Sequence, residues 1–265
     1  MYDFAYHKPS SVADAVKLLA GDPDARAVSG GMTLLPALKL RLNRPTSLVD
    51  LSGIAELRGV RREGNTLVIG ALTRHYEIAT SPEVKAVIPA LAEMAHSIGD
   101  TQVRNRGTMG GSVANNDPAA DYPAAVLALG GTIQTDRRKV AADDFFQGMF
   151  ATALDVGEIV TAIHLPTPEK AGYAKMRNPA SRYSMTGVFV ARGPAGVRVA
   201  VNGAGANGVF RVPEMERALT ANWLPEAVAN IKVDPSNLNG DIHGSAEYRA
   251  HLVTVMAKRA VANAG

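Results

Sequence analysis

Between Ser10 and Gly21 the apolar residues Val12, Ala15, Val16, Leu18 and Leu19 recur at helical spacing and fall on one face. Ser11 and Asp14 resemble a capping box with Asp in the usual Glu position, and Gly21 ends the helix. "ARAVSGG" reads as a short strand running into a glycine turn, and "TLLPALKLRLN" as a helix. "TSLVDL" and "TLVIGAL" are short β-rich runs, with "RREGN" as the turn between them. "SPEVKAVIPALAEMAHSIG" has helical spacing. Ser81 caps it, Pro82 suits its first turn, and Pro89 kinks or divides it. "YPAAVLALGGTIQTD" predicts a helix, a Gly-Gly stop and a strand, and "EIVTAIHLP" a strand closed by Pro166.

After the loop "TPEKAG" the pattern changes. "YAKMRN" and "SMTGVFVAR" read as strands, and "VRVAVNGAG" follows at hairpin distance across "GPAG". Two helical segments close the chain, "EMERALT" and "SAEYRAHLVTVMAKRAVANA". The order is β/α, then α+β, then strands followed by helices, with no internal repeat.

Composition narrows the classes. Apolar residues make up 46% and charged residues 20% of the 265, which is the balance of a globular chain with a core. A net charge of +3, scattered rather than striped, gives no case for nucleic acid. The absence of cysteine excludes disulfides, thiolate metal sites, cysteine-ligated iron–sulfur clusters and a cysteine nucleophile. None of the six histidines pairs at the helical spacing of a zinc site. No secretory pattern is visible at the start and no apolar run is long enough for a membrane span, so a cytoplasmic location is expected.

Three glycine clusters carry the candidate chemistry. "VSGGMT" (Val28–Thr33) follows a strand and precedes a helix. Its glycines allow positive φ and close backbone approach, and its N–H groups can converge on an anion; an ordinary strand-to-helix turn is the alternative. "TMGGS" (Thr108–Ser112) repeats the small-Gly-Gly-small pattern, and two such turns can grip both phosphates of one dinucleotide. "GAGANG" (Gly203–Gly208) matches G-x-G-x-x-G literally, but "VFRVP" follows where a helix is required. A turn between strands and the last helices accounts for it better.

With these motifs in place, "YHKPSSVADAVKLL", "SGGMTLLPALKLRL", "LVDLSGIAEL", "IGALTRHYEI" and "QVRNRGTMGGSVANNDPAADYP" resemble the FAD-binding medium subunit of molybdenum hydroxylases. That family includes the medium subunits of carbon monoxide dehydrogenase and the flavin domain of xanthine dehydrogenase. "YAKMRNPASRYSMTGVFVA" looks like its C-terminal domain. The resemblance implies an α+β fold of the vanillyl-alcohol-oxidase (PCMH) type. Residues 1–55 and 56–168 would be two FAD-binding subdomains, and 169–265 a C-terminal domain of antiparallel sheet plus helices.

The resemblance also implies a set of cofactor contacts. Val28, Ser29, Gly30, Gly31, Met32, Thr33 and Leu34 match the first motif, and Thr108, Met109, Gly110, Gly111 and Ser112 the second. Ile98 and Val160 match apolar contacts, and Asp121 an acid that accepts from cofactor hydroxyls. A basic flavin contact falls on Lys175, Arg177 or Asn178. Lys175 is preferred, against the alternative of a solvated strand-edge lysine. Met32 departs from the family pattern and excludes a histidyl flavin link there, so noncovalent FAD is expected; Ser112 stands where Asn is usual.

As function, the resemblance implies an oxidoreductase subunit that takes electrons from the [2Fe–2S] clusters of a small partner subunit and passes them to an external acceptor. A molybdopterin-binding large subunit would complete a dimer of heterotrimers, and no side chain of this chain is assigned catalysis. A self-sufficient flavin oxidase or reductase of the same fold, and a nucleotide-binding module without flavin, are the alternatives. Among single residues, His75 is expected at the surface or else near the flavin face. Asn115 and Asp117 are expected to cap a helix beginning near Pro118 or to touch cofactor, and Trp223, Met176 and Met185 to pack.

Overall fold

The computed structural model describes residues 1–265. The first sheet is parallel, with β1 (Ala5–His7), β2 (Arg26–Val28) and β3 (Ser47–Asp50) in the order β1–β3–β2. Parallel neighbours need crossovers. The first is α1 (Val12–Ala20), where the Ser11 hydroxyl accepts the Asp14 N–H at 3.1 Å and donates to its carboxylate at 2.7 Å. The cap is therefore present, but it closes side chain to side chain. The second is α2 (Leu34–Lys39), shorter than the sequence pattern. Arg41 is left-handed at φ 59, and the Leu42 N–H reaches back to the Ala37 carbonyl, so "RLN" forms a helix stop.

The second sheet is antiparallel, in the order β4 (Val60–Glu63), β5 (Thr66–Gly70), β10 (Val160–Pro166), β6 (Thr132–Thr135), β7 (Lys139–Ala141). Arg61–Glu63 is thus strand, and only Gly64 and Asn65 turn the chain. This corrects the sequence expectation. An exposed edge strand carries charge on both faces and shows no apolar alternation.

Six helices lie between β5 and β6: α3 (His75–Thr80), α4 (Pro82–Val87), α5 (Pro89–His96), α6 (Thr101–Arg106), α7 (Met109–Asn115) and α8 (Tyr122–Ala128). Pro89 does divide its helical run, since Ile88 before it takes φ −140, ψ 73. All seven residues of α8 are buried. Its Tyr122 packs with Leu67, Ile69, Ile78, Leu91 and Phe145 in the largest core. After β7 come α9 (Ala142–Phe145) and a hairpin of β8 (Phe146–Gly148) and β9 (Ala151–Thr152).

The third sheet runs in sequence order, β11 (Lys170–Arg177), β12 (Ser184–Gly193), β13 (Gly196–Asn202) and β14 (Phe210–Arg211). Alternate residues serve two cores. Val188, Val190, Val199 and Val201 meet Met215 and Leu219 of α10 (Pro213–Ala221) and Val253 and Met256 of α11 (Ala246–Ala262). Phe189, Ala191 and Ala200 face the other way, into the largest core. The sheet is thereby fastened to the region before it. "GAGANG" is the turn from β13 to β14, with Gly203 and Gly208 at φ 81 and 103. The Gly203 N–H is tied to the Pro118 carbonyl at 2.7 Å.

Candidate functional site: a cleft lined by two glycine stretches

A cleft of about 710 Å³ opens where the three sheet regions meet. Its first wall is the Ser29–Leu34 turn between β2 and α2. None of the backbone N–H groups from Ser29 to Thr33 donates to an acceptor within the chain. Two glycines make this shape possible. Gly31 has φ 73. Gly30 lies so close to the end of α6 that an added Cβ would sit 2.2 Å from the Arg106 carbonyl oxygen.

The second glycine stretch is not a turn. Gly110 and Gly111 lie in the first turn of α7, whose cap is Thr108, and neither has positive φ. Its first N–H groups are already used: Met109 donates to the Thr73 carbonyl (3.1 Å), Gly110 to the Ala71 carbonyl (2.9 Å) and Gly111 to the Thr108 hydroxyl (3.2 Å). A Cβ on Gly110 would meet that of Ala71 at 2.5 Å, so this glycine serves close packing on β5's end. The Ser29 and Thr108 hydroxyls share a hydrogen bond of 2.6 Å, which joins the two stretches.

Of the sequence-predicted contacts, Val28, Ser29, Gly30, Gly31, Met32, Thr33, Leu34, Ile98, Thr108, Gly110, Gly111, Ser112, Asp121 and Val160 all line the cleft. Met109 and Lys175 are not on its wall. Met109 is fully buried beneath it. Lys175 is no solvated edge residue: its side chain is 3% exposed, and its ammonium donates to both Asp121 oxygens at 3.0 and 2.8 Å. The Tyr173 hydroxyl donates to Asp121 as well. Burial and the Asp121 charge hold the Tyr173 hydroxyl well above the ordinary tyrosine range. Three of about four carboxylate lone-pair sites are so engaged, which leaves one open on Asp121.

Arg177 and Asn178 are also off the wall. The Asn178 side chain instead accepts from the Ala180 and Ser181 N–H groups and shapes the loop that brings Ser181, Arg182 and Tyr183 to the cleft. Sequence reading missed these three, and they carry no local signal; the turn from β11 to β12 delivers them. It also missed an apolar slot formed with Leu51, Leu72, Leu154 and Ile159.

Asn115 and Asp117 line the cleft, but the helix they were expected to cap begins at Tyr122; Asp117 instead accepts the Ala119 N–H at 2.9 Å. His75, expected at the surface or else near the flavin face, is 6% exposed and lines the cleft at the start of α3, so the surface reading is the one corrected. Its Nδ1 is buried without a partner. Burial, then the nearby Arg104 charge, pushes it down from 6.5 to about 4, so it stays neutral at ordinary pH. Glu158, also on the wall, is held down to about 2, first by its Arg138 hydrogen bond. No cluster of three or more His, Asp or Glu side chains is placed to hold a metal ion. No helix is long and apolar enough to cross a membrane.

The model of the FAD-binding domain in molybdopterin dehydrogenases matches residues 2–168. The chain is 35% identical to the nicotine 6-hydroxylase medium subunit of Paenarthrobacter nicotinovorans, over 98% of this chain and 96% of the relative. It is 36% identical to the carbon monoxide dehydrogenase medium chain of Hydrogenophaga pseudoflava, over 97% and 96%. The fold superposes on a chain of reconstituted CO dehydrogenase from Oligotropha carboxidovorans with a TM-score of 0.91 at 33% identity, covering 99% of this chain and 97% of that one. With two glycine stretches joined in the lining of one cleft and these relatives matched end to end, the chain belongs to the FAD-binding medium subunits of molybdenum hydroxylases, the flavoprotein components of that class of oxidoreductase.

Proposed function

We propose that this chain holds FAD noncovalently in the cleft. As a medium subunit it would take electrons from the [2Fe–2S] clusters of a small partner subunit and pass them to an external acceptor. A molybdopterin-binding large subunit would carry the substrate chemistry. The observation that carries this reading is the run of unoccupied N–H groups from Ser29 to Thr33 beside an apolar slot. A pyrophosphate needs such donors, and the planar rings on either side of it need apolar walls. The residues present fit the cofactor on both counts.

FAD, when bound, supplies the redox chemistry; the chain supplies binding, orientation and electrostatics. Ser29–Thr33 would neutralise the phosphates. Leu51, Leu72, Ile98, Leu154, Ile159 and Val160 would exclude water from the rings. Asp121 would accept from a cofactor hydroxyl, and Lys175 and Tyr173 would act on the ligand only through Asp121, by fixing its carboxylate. Met32 gives no side chain for a covalent link.

The test is acid denaturation of the purified, flavin-loaded chain. All yellow colour is expected in the supernatant as FAD. Colour retained on the precipitate would contradict noncovalent binding, and a folded chain that takes up no added FAD would contradict the reading of the cleft.

A further inference from the structure

The hairpin of β8 and β9 carries an exposed aromatic residue at its tip. Two of the four non-glycine residues with positive φ in this chain, Asn116 (φ 44) and Phe150 (φ 56), are bonded to each other. Asn116 ends α7, and Phe150 stands at the hairpin tip, where its N–H donates to the Asn116 carbonyl at 3.1 Å. The Asn116 side chain is enclosed, and its Nδ2 donates to Gly148 (2.7 Å) and Ala151 (2.8 Å), the carbonyls on either side of the tip. One buried residue therefore fixes the tip by three hydrogen bonds.

Asn tolerates the left-handed region, whereas a bulky aromatic residue there is an outlier. Such backbone persists where its surroundings over-determine it, and it gathers at functional sites. Here the over-determination presents a ring to the cleft. Phe150 lines the cleft wall while 57% exposed, and it belongs to none of the apolar cores. Met149 beside it is equally exposed but is not on that wall.

We infer that Phe150 is a stacking residue for a planar heteroaromatic ring of the ligand held in the cleft. The inference rests on the FAD reading above, which offers two such rings, adenine and isoalloxazine. A face-on aromatic contact needs an apolar ring held at a fixed place beforehand, and the Asn116 clamp provides that.

The experiment compares full-length wild type with Phe150→Asn, Phe150→Tyr and Met149→Ala, each stripped of flavin and titrated with FAD and with FMN. Phe150→Asn suits the left-handed backbone and removes the ring. It is expected to melt no lower than wild type yet bind FAD about 5- to 100-fold more weakly. Phe150→Tyr is expected to restore affinity, and Met149→Ala to leave it unchanged. Loss confined to FAD assigns the contact to adenine; equal loss with FMN assigns it to isoalloxazine. FAD affinity of Phe150→Asn within about twofold of wild type would overturn the inference. So would a lower melting temperature together with the loss, which would make Phe150 a packing residue. Wild type that binds no flavin would sink the cofactor reading itself, which is a separate outcome.

Discussion

Ser29–Thr33 and Thr108–Ser112 carry the same five letters in reverse order, line one cleft side by side, and are joined through the Ser29 and Thr108 hydroxyls. Their backbones are in opposite states. The first is a turn whose N–H groups are free, with Gly31 left-handed. The second is a helix start whose N–H groups are bound to Thr73, Ala71 and its own cap. A glycine pair in a sequence therefore names a place where backbone comes close to something. In the first stretch the near object is α6 on one side and an open cleft on the other. In the second it is Ala71. On the proposed reading the anion-binding role would fall on the first stretch, with the second as its buttress.

Substitutions at the four glycines separate these roles. Gly30→Ala is expected to have the largest effect, because its Cβ would lie 2.2 Å from a backbone carbonyl that cannot step aside. It should cost on the order of 3 kcal/mol and empty the cleft of flavin, as read by thermal melting and bound FAD. Gly110→Ala should also lower stability by pushing on Ala71, but its folded fraction should keep near-normal FAD affinity. If Gly110→Ala lost flavin as Gly30→Ala does, the division of roles would fail.

The second comparison is finer. Gly31→Ala forces a side chain into φ 73 and crowds Leu35. It should cost about 1–2 kcal/mol and weaken FAD binding about tenfold. Gly111→Ala gains about 1 kcal/mol of helix propensity and crowds only the Thr108 hydroxyl, at 2.9 Å. Its stability should change by less than about 1 kcal/mol and its FAD affinity by less than about threefold. Equal losses of affinity in the two variants would show that both stretches hold the phosphates.

A separate effect is one of pH. His75 sits against Gly107, just before the buttress, and its buried ring is held down to about 4. The unfolded chain binds a proton there below about 6.5, while the folded chain does not until about 4. Stability is therefore complete above 6.5 and falls as pH drops toward 4, by up to about 3 kcal/mol. His75→Leu should flatten that part of the profile in denaturant melts at stepped pH. An unchanged profile would mean that His75 is solvated.

Local chemistry explains which parts of this could be read in advance. The α1 cap, the division at Pro89, the alternation of β12 and β13, and the rejection of "GAGANG" all follow from spacing and backbone rules acting within a few residues. The errors share another cause. β4 was hidden because an exposed edge strand needs no apolar face. α7 was hidden because its glycines look like a turn, although Met109 and Val113, one helical turn apart after Thr108, were a readable signal. The burial of Lys175 and His75 was not legible because burial is decided by what distant segments bring. For Lys175 that is Asp121, and for His75 it is α6 and Tyr122. Arg182, Tyr183 and Phe150 reach the cleft only through the folding of whole hairpins, which no local pattern encodes.

The most direct measurement is a crystal structure of the flavin-loaded chain. The account predicts FAD phosphate oxygens about 2.7–3.2 Å from N–H groups between Ser29 and Thr33, with the Met109 and Gly110 N–H groups still bound to Thr73 and Ala71. Phosphates held by the start of α7, with the Ser29–Thr33 N–H groups left unoccupied, would contradict it.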